Sequence, residues 1–283
     1  MRIISFNANG IRSAANKGFF DWLPAQDADV LCVQETKAQE HQLADATFRP
    51  PGYHVFFRDA TSKKGYSGVA IYSKQKPDSV IAGLGWPAFD EEGRYIEARF
   101  GELSVISLYL PSGTSGEERQ QFKFNVMDWI RPKFQDMLAS GRKFVVCGDW
   151  NIAHTAKDIR NAKSNEKNSG FLPEERTWMT ALIEQDSWVD AYRSLRPDGQ
   201  DYTWWSQRGA ARGERGVCRS LRTAGGEQSQ GSPQSRRAKR TRHVGIKPTS
   251  TPIVNKAGAV RIRNWGHAWR RRPRPAHSPP PSG

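Results

Sequence analysis

Four short polar groups in this chain each close an apolar run, and their residue types suit one kind of chemistry. Ser5-Phe6-Asn7-Ala8-Asn9-Gly10 follows the first run, and Gln34-Glu35-Thr36-Lys37 follows Val30-Leu31-Cys32-Val33. Tyr109-Leu110-Pro111-Ser112-Gly113 ends a third run, and Gly148-Asp149-Trp150-Asn151 follows Phe144-Val145-Val146-Cys147. Polar residues at strand ends can converge at one rim of a sheet, where α/β folds place their ligands. Glu35 and Asp149 are hard oxygen donors suited to Mg2+, with Mn2+ the alternative ion. Mg2+ takes one or two carboxylates and keeps water and substrate phosphate as its other ligands. Asn7, Glu35, Asp149 and Asn151 are therefore the candidate cation ligands. Such a site suits hydrolysis of a phosphate ester, with Asp149 orienting or deprotonating the attacking water. Each element alone is weak. A lone acid after a strand is more often a solvated turn residue, Asn7 and Asn9 form turns readily, and Tyr109 can be a core aromatic. Their joint occurrence carries the weight.

The elements that must hold these residues are short strands and a few helices. Strand character falls at 3–6, 30–33, 54–57, 69–72, 95–100, 105–110 and 144–147. In the fifth of these, Ile96, Ala98 and Phe100 alternate with Glu97 and Arg99, the period of a sheet with one wet face. The continuous run before Gly148 suggests a strand covered on both faces. A helix is expected over about 117–138, because Phe122, Val126, Trp129, Ile130, Phe134, Met137 and Leu138 step by three and four. A second helix should open at Pro173-Glu174-Glu175-Arg176, with proline in its first turn, acids at its positive end, and Trp178, Leu182 and Ile183 facing the core. This pattern predicts an α/β fold of packed sheets with helices outside.

The net charge of +14 is uneven. Residues 1–211 carry 26 basic and 27 acidic side chains, whereas residues 212–283 carry 17 basic and 2 acidic. The excess belongs to the last segment, so it says nothing of the front of the chain. That segment has no Phe or Tyr and only eight Val, Leu or Ile, so it is expected to be a disordered basic tail. No stretch approaches the about 18 apolar residues of a membrane span, and no membrane partner is expected. The N-terminus turns polar at Asn7, too early for a secretory apolar region. Three cysteines make no disulfide framework. Cys32 and Cys147, inside apolar runs, read as reduced core residues of a cytoplasmic protein.

The polar groups above, in this order, resemble the exonuclease III family of apurinic/apyrimidinic endonucleases, within the wider endonuclease/exonuclease/phosphatase superfamily. The likeness continues through Gly68-Val69-Ala70-Ile71, Ile152-Ala153-His154, Asp158-Ile159-Arg160-Asn161 and Gly170-Phe171-Leu172-Pro173-Glu174-Glu175-Arg176 to Tyr202-Thr203-Trp204-Trp205. It implies a four-layer α/β sandwich of two packed mixed sheets flanked by helices. It implies a monomer that cleaves DNA phosphodiesters with Mg2+, beside abasic sites in duplex and from 3′ ends. Carried over by residue, Glu35 binds the metal with help from Asn7, and Tyr109 sits at the scissile phosphate. Asp149 activates water, and Asn151 helps hold the pentacovalent transition state.

The chain departs from this family after about Ala211. The family's Trp-Arg-x-Asp-Tyr motif is replaced by Gly216-Val217-Cys218-Arg219-Ser220-Leu221, and no Asp-His pair stands for the later Asp-His-x-Pro motif. The abrupt Arg, Gly, Ser and Pro enrichment looks like a GC-rich gene read out of frame. The expectation is a nuclease domain over 1–211 that lacks its last strands, with crippled activity. Two other readings stand beside it. One is a non-catalytic nucleic-acid binder whose Arg236-Arg237-Ala238-Lys239-Arg240-Thr241-Arg242 run and C-terminal arginines grip phosphates, and the other keeps the fold but acts on a small phosphate ester or phospholipid headgroup, against which the Arg160-Asn161 and Gly170–Arg176 segments argue.

Overall fold

The computed structural model describes residues 1–199, 253–255 and 261–264. Eleven strands in that set form two mixed sheets. The first sheet contains β1 (Arg2–Asn7), β2 (Val30–Gln34), β3 (His54–Arg58) and β4 (Val69–Ser73). The second contains β5 (Ser79–Ala82), β6 (Tyr95–Phe100), β7 (Leu103–Tyr109), β8 (Lys143–Asp149) and β9 (Trp188–Asp190). β10 (Ile253–Asn255) joins the second sheet and β11 (Arg261–Asn264) the first. The spatial orders are β11-β1-β2-β4-β3 and β5-β6-β7-β8-β10-β9. The helices are α1 (Ile11–Asn16), α2 (Phe19–Trp22), α3 (Pro87–Asp90), α4 (Glu117–Ala139), α5 (Ala162–Asn165), α6 (Pro173–Thr180) and α7 (Ala191–Leu195).

Three apolar layers explain the stacking. Between the sheets lie Ile3, Val30, Cys32, Val69, Ile71, Ile96, Ala98, Val105, Val145 and Cys147. The other face of the first sheet, with Ile4, Phe6, Leu31, Val33 and Tyr72, packs against Ile11, Phe19 and Leu23 at α1 and α2. The other face of the second sheet, with Ile106, Leu108, Phe144 and Val146, takes Val126, Ile130 and Phe134 from α4 and Trp178 from α6. β1, β2, β7 and β8 are apolar on both faces because each face has a partner layer. The four-layer α/β sandwich expected from the sequence is the fold observed.

The end of the chain departs from expectation where it can be seen. A disordered basic tail over 212–283 and a sandwich without its last strands were expected; among the described residues, β10 lies antiparallel between β8 and β9, and β11 runs parallel to β1. The reason is local. Averaging over the tail hid Ile253-Val254 and the Arg261-Ile262-Arg263 alternation, and the edges of β1 and β8 offer rows of N–H and C=O groups that require partners. The boundary at 211, the Tyr202–Trp205 segment and the remaining tail lie outside the described residues. Among the described residues, no helix is long and apolar enough to cross a membrane.

Candidate active site

The strand ends bring the polar groups together. β1 and β2 are parallel, with Asn7 opposite Gln34, and β7 and β8 are parallel, with Tyr109 opposite Asp149. Each group therefore leaves its strand at the same rim of its sheet, and the packed sheets bring the two rims face to face. The turns that follow are tight. Glu35, Lys37 and Asn151 have φ of 54°, 48° and 50°, in the left-handed region that non-glycine residues enter only when held there. Glu35 is held by its carbonyl, which accepts the Gly10 N–H at 2.8 Å, while the next N–H, from Thr36, reaches Gly68 O at 3.0 Å.

At the centre, one amide joins two carboxylates. Asn7 Nδ2 donates to Glu35 Oε1 at 2.8 Å and to Asp149 Oδ2 at 2.6 Å. Those two oxygens are thus separated by no more than the two bonds laid end to end. Asn7 is 0% exposed, Asp149 1% and Glu35 4%, so the acids sit in a low-dielectric site where they interact strongly. Asn7 Oδ1 accepts the Asn9 N–H at 2.9 Å. Asn7 is thus placed as a donor between the acids. Lys37 Nζ lies 2.5 Å from Glu35 Oε2 and donates to Asn9 Oδ1 at 2.7 Å. An ammonium and an amide together offset the negative charge at this point.

Tyr109 and Asn151 complete the arrangement. Asn151 N donates to Asp149 Oδ1 at 3.1 Å, and Asn151 Nδ2 donates to Leu110 O at 2.8 Å. Both oxygens of Asp149 are thereby oriented. Tyr109 is buried, and burial pushes its phenol well above the ordinary range, with the Glu35 and Asp149 charges adding to the effect and Arg94 opposing it. The phenol keeps its proton and is a hydrogen-bond donor. The Arg94 guanidinium lies 4.7 Å over the Tyr109 ring, and Arg94 Nη1 donates to Tyr109 O at 3.0 Å.

Sequence reasoning missed several supports. Arg94 is 1% exposed and pairs with Glu92 at 2.6 Å, and Arg119 pairs with the same acid at 2.8 Å. Both guanidinium groups donate to the Tyr66 hydroxyl, at 2.9 and 3.0 Å. No local spacing announces this network, which assembles from three separate segments. Gln34 Nε2 crosses between the sheets to Ser107 Oγ at 3.0 Å. Its signal was present as polar residues inside otherwise apolar strands. His154 bonds Thr180 Oγ1 at 2.8 Å, and burial lowers its pKa. Among the described residues, no group of three or more His, Cys, Asp or Glu is arranged to hold a metal ion. The donor set here is two carboxylates flanked by amide side chains, which are oxygen-bearing groups suited to a hard divalent cation.

Comparison with known proteins points the same way as the motifs. Residues 4–222 match the model of the Endonuclease/Exonuclease/phosphatase family. The exodeoxyribonuclease of Bacillus subtilis (strain 168) is 39% identical over 216 residues, covering 75% of this chain and 82% of that protein. The DNA repair nuclease APEX1 of Danio rerio is 38% identical over 208 residues, covering 73% of this chain and 66% of that protein. Among solved structures, an AP endonuclease from Archaeoglobus fulgidus superposes with a TM-score of 0.70 at 26% identity, covering 89% of this chain and 85% of its own.

Proposed function

This chain belongs to the Endonuclease/Exonuclease/phosphatase family, and from that premise we propose that it is a DNA-repair phosphodiesterase of exodeoxyribonuclease III type. Its substrates are abasic-site duplex and 3′ ends, its cofactor is Mg2+ with Mn2+ as the alternative, and it acts as a monomer in the cytoplasm. The observation that carries the reading is the Glu35–Asn7–Asp149 bridge, which joins the rims of the two sheets through one amide.

Glu35, with Asn7, Asp149 and Asn151 around it, is the place for the cation. Binding there requires the Lys37 ammonium to yield Glu35 Oε2 and the Asn7 amide to turn. When bound, the ion supplies charge neutralisation at the phosphoryl oxygens. Asp149, oriented at both oxygens, is the group that takes a proton from the attacking water. Tyr109, kept protonated, donates to a phosphoryl oxygen. Asn151 sits beside Asp149 to hold charge as it develops in the transition state.

The sequence lacks the family's Trp-Arg-x-Asp-Tyr and Asp-His-x-Pro motifs. Removing one preorganised donor costs about 10²–10³ in rate, so cleavage should be far slower than by an intact relative. The test is nicking of an abasic duplex with Mg2+ and with EDTA, beside Asp149→Ala in the same full chain. Slow nicking that needs the cation and vanishes in the variant is expected. Salt-sensitive binding without any nicking would instead favour a non-catalytic nucleic-acid binder.

A further inference from the structure

Lys123 lies on the buried stripe of α4, with Val126, Met127 and Ile130, and is 0% exposed. A cation there is costly unless paired, and stability alone would be served as well by an apolar side chain. What the lysine touches is specific. Its Nζ donates to Asn151 O at 2.7 Å and lies 2.5 Å from Glu175 Oε1, itself 0% exposed. Glu175 Oε2 accepts the N–H groups of Gly170 at 2.7 Å and Leu172 at 3.0 Å. Gly170 O in turn accepts the Ala153 N–H at 2.7 Å. One ion pair thus grips the Asn151 carbonyl directly and the Ala153 N–H through Gly170, just after Asn151, whose φ of 50° needs an external hold.

We propose that Lys123 is a positioning residue for the Asp149–Asn151 turn: its ammonium draws the Asn151 carbonyl inward and so sets the direction in which the Asn151 N–H meets Asp149. This rests on the nuclease reading above and adds to it the device that aims Asp149. Three groups then fix Asn151: Lys123 on its carbonyl, Asp149 on its N–H, and Leu110 O on its side chain. Displacement by about 1 Å at a reacting group can cost about 10²-fold in rate, so the hold matters to chemistry.

The test separates positioning from plain stability with paired variants of the full chain. Lys123→Met alone leaves Glu175 buried without its counter-charge, and melting should fall by about 10 °C. In Lys123→Met/Glu175→Gln no buried charge is left over, and the glutamine oxygen still accepts the Gly170 and Leu172 N–H groups. Most of the melting temperature should return. Its kcat on abasic duplex should nevertheless stay about 10²-fold down, with KM within a few-fold of the parent, and the amides of Asn151 and Ala153 should exchange faster. Lys123→Arg should restore kcat. A double variant that recovers kcat together with stability overturns the proposal. If the parent cuts no DNA, the nuclease reading fails by itself, and exchange at Asn151 and Ala153 decides: faster in the stable double variant supports positioning, and unchanged overturns it.

Discussion

Asp190 offers the sharpest quantitative handle on the described fold. It ends β9, caps α7 by accepting the Arg193 N–H at 2.9 Å, and is largely buried, which raises its carboxyl from 3.8 to about 6. The Asp158 charge adds to the rise, while Arg193, which pairs with Asp158 at 2.7 Å, opposes it. The folded-state value thus lies above the unfolded one. Between the two the folded chain binds the extra proton, so stability is present below about pH 4 and is lost as pH climbs through about 6. A rise of about two pH units corresponds to about 3 kcal/mol, an upper bound because Asp190 retains some exposure. Asp190→Asn removes the titration and keeps the cap, since asparagine caps as well as aspartate. The variant should match the parent near pH 4 and be more stable above pH 7 by about 1–3 kcal/mol. At about 2–4 °C per kcal/mol for a domain of this size, that is a gain of several degrees in Tm. Thermal melts of both proteins from pH 4 to 8 at fixed ionic strength give the difference curve. Parallel curves, or a parent that gains on the variant with rising pH, would refute the reasoning.

Two further expectations concern the site. Gly170 has φ of 93°, and a Cβ there would lie 3.2 Å from Asn151 O, so Gly170→Ala should cost about 1–3 kcal/mol in urea unfolding; an unchanged midpoint would contradict the strain. Lys37 holds an ammonium on Glu35 Oε2, so Lys37→Met should tighten Mg2+ binding by about thirtyfold, the worth of about 2 kcal/mol between an ammonium and a divalent ion near 4 Å in water. Titration calorimetry with Mg2+ alone reads this, and weaker binding in the variant would mean that Lys37 helps rather than competes.

The parts of the molecule legible in the sequence are those set by local pattern. The apolar runs located β1–β4 and β6–β8 to within a residue or two, and the three-and-four stepping located α4 over 117–139 against an expected 117–138. β5 was missed because its pattern is exposed at both ends, as befits an edge strand, and β9 because three residues carry no period. Strand ends marked Asn7, Glu35, Tyr109 and Asp149 as candidates because polar residues closing apolar runs are visible in sequence. The amide that joins them is not: Asn7 and Asp149 lie 142 positions apart, and only sheet docking makes them neighbours. Lys123 was hidden for the opposite reason. It occupies a core position of an amphipathic helix, where the pattern calls for an apolar residue.

The location of the bridge makes site formation and fold stability one problem. Asn7 ends β1 and Glu35 follows β2 in the first sheet, Tyr109 and Asp149 end β7 and β8 in the second, and the Gln34 bond to Ser107 crosses the same gap. The strands at its heart, β1 and β8, are also those whose outer edges β11 and β10 cover, with Ser5 opposite Asn264 and Val146 opposite Ile253. Without those partners, β1 and β8 would keep their apolar faces but leave unpaired edges next to Asn7 and Asp149. The end of the chain therefore bears on the site through backbone pairing, whatever its side chains do. A sequence without its family's last motifs can still bring two carboxylates together, because strand pairing demands hydrogen-bonding groups and β-compatible residues rather than particular side chains. Chemistry is less forgiving, since a donor at the transition state acts only when it is aimed at the place where charge develops.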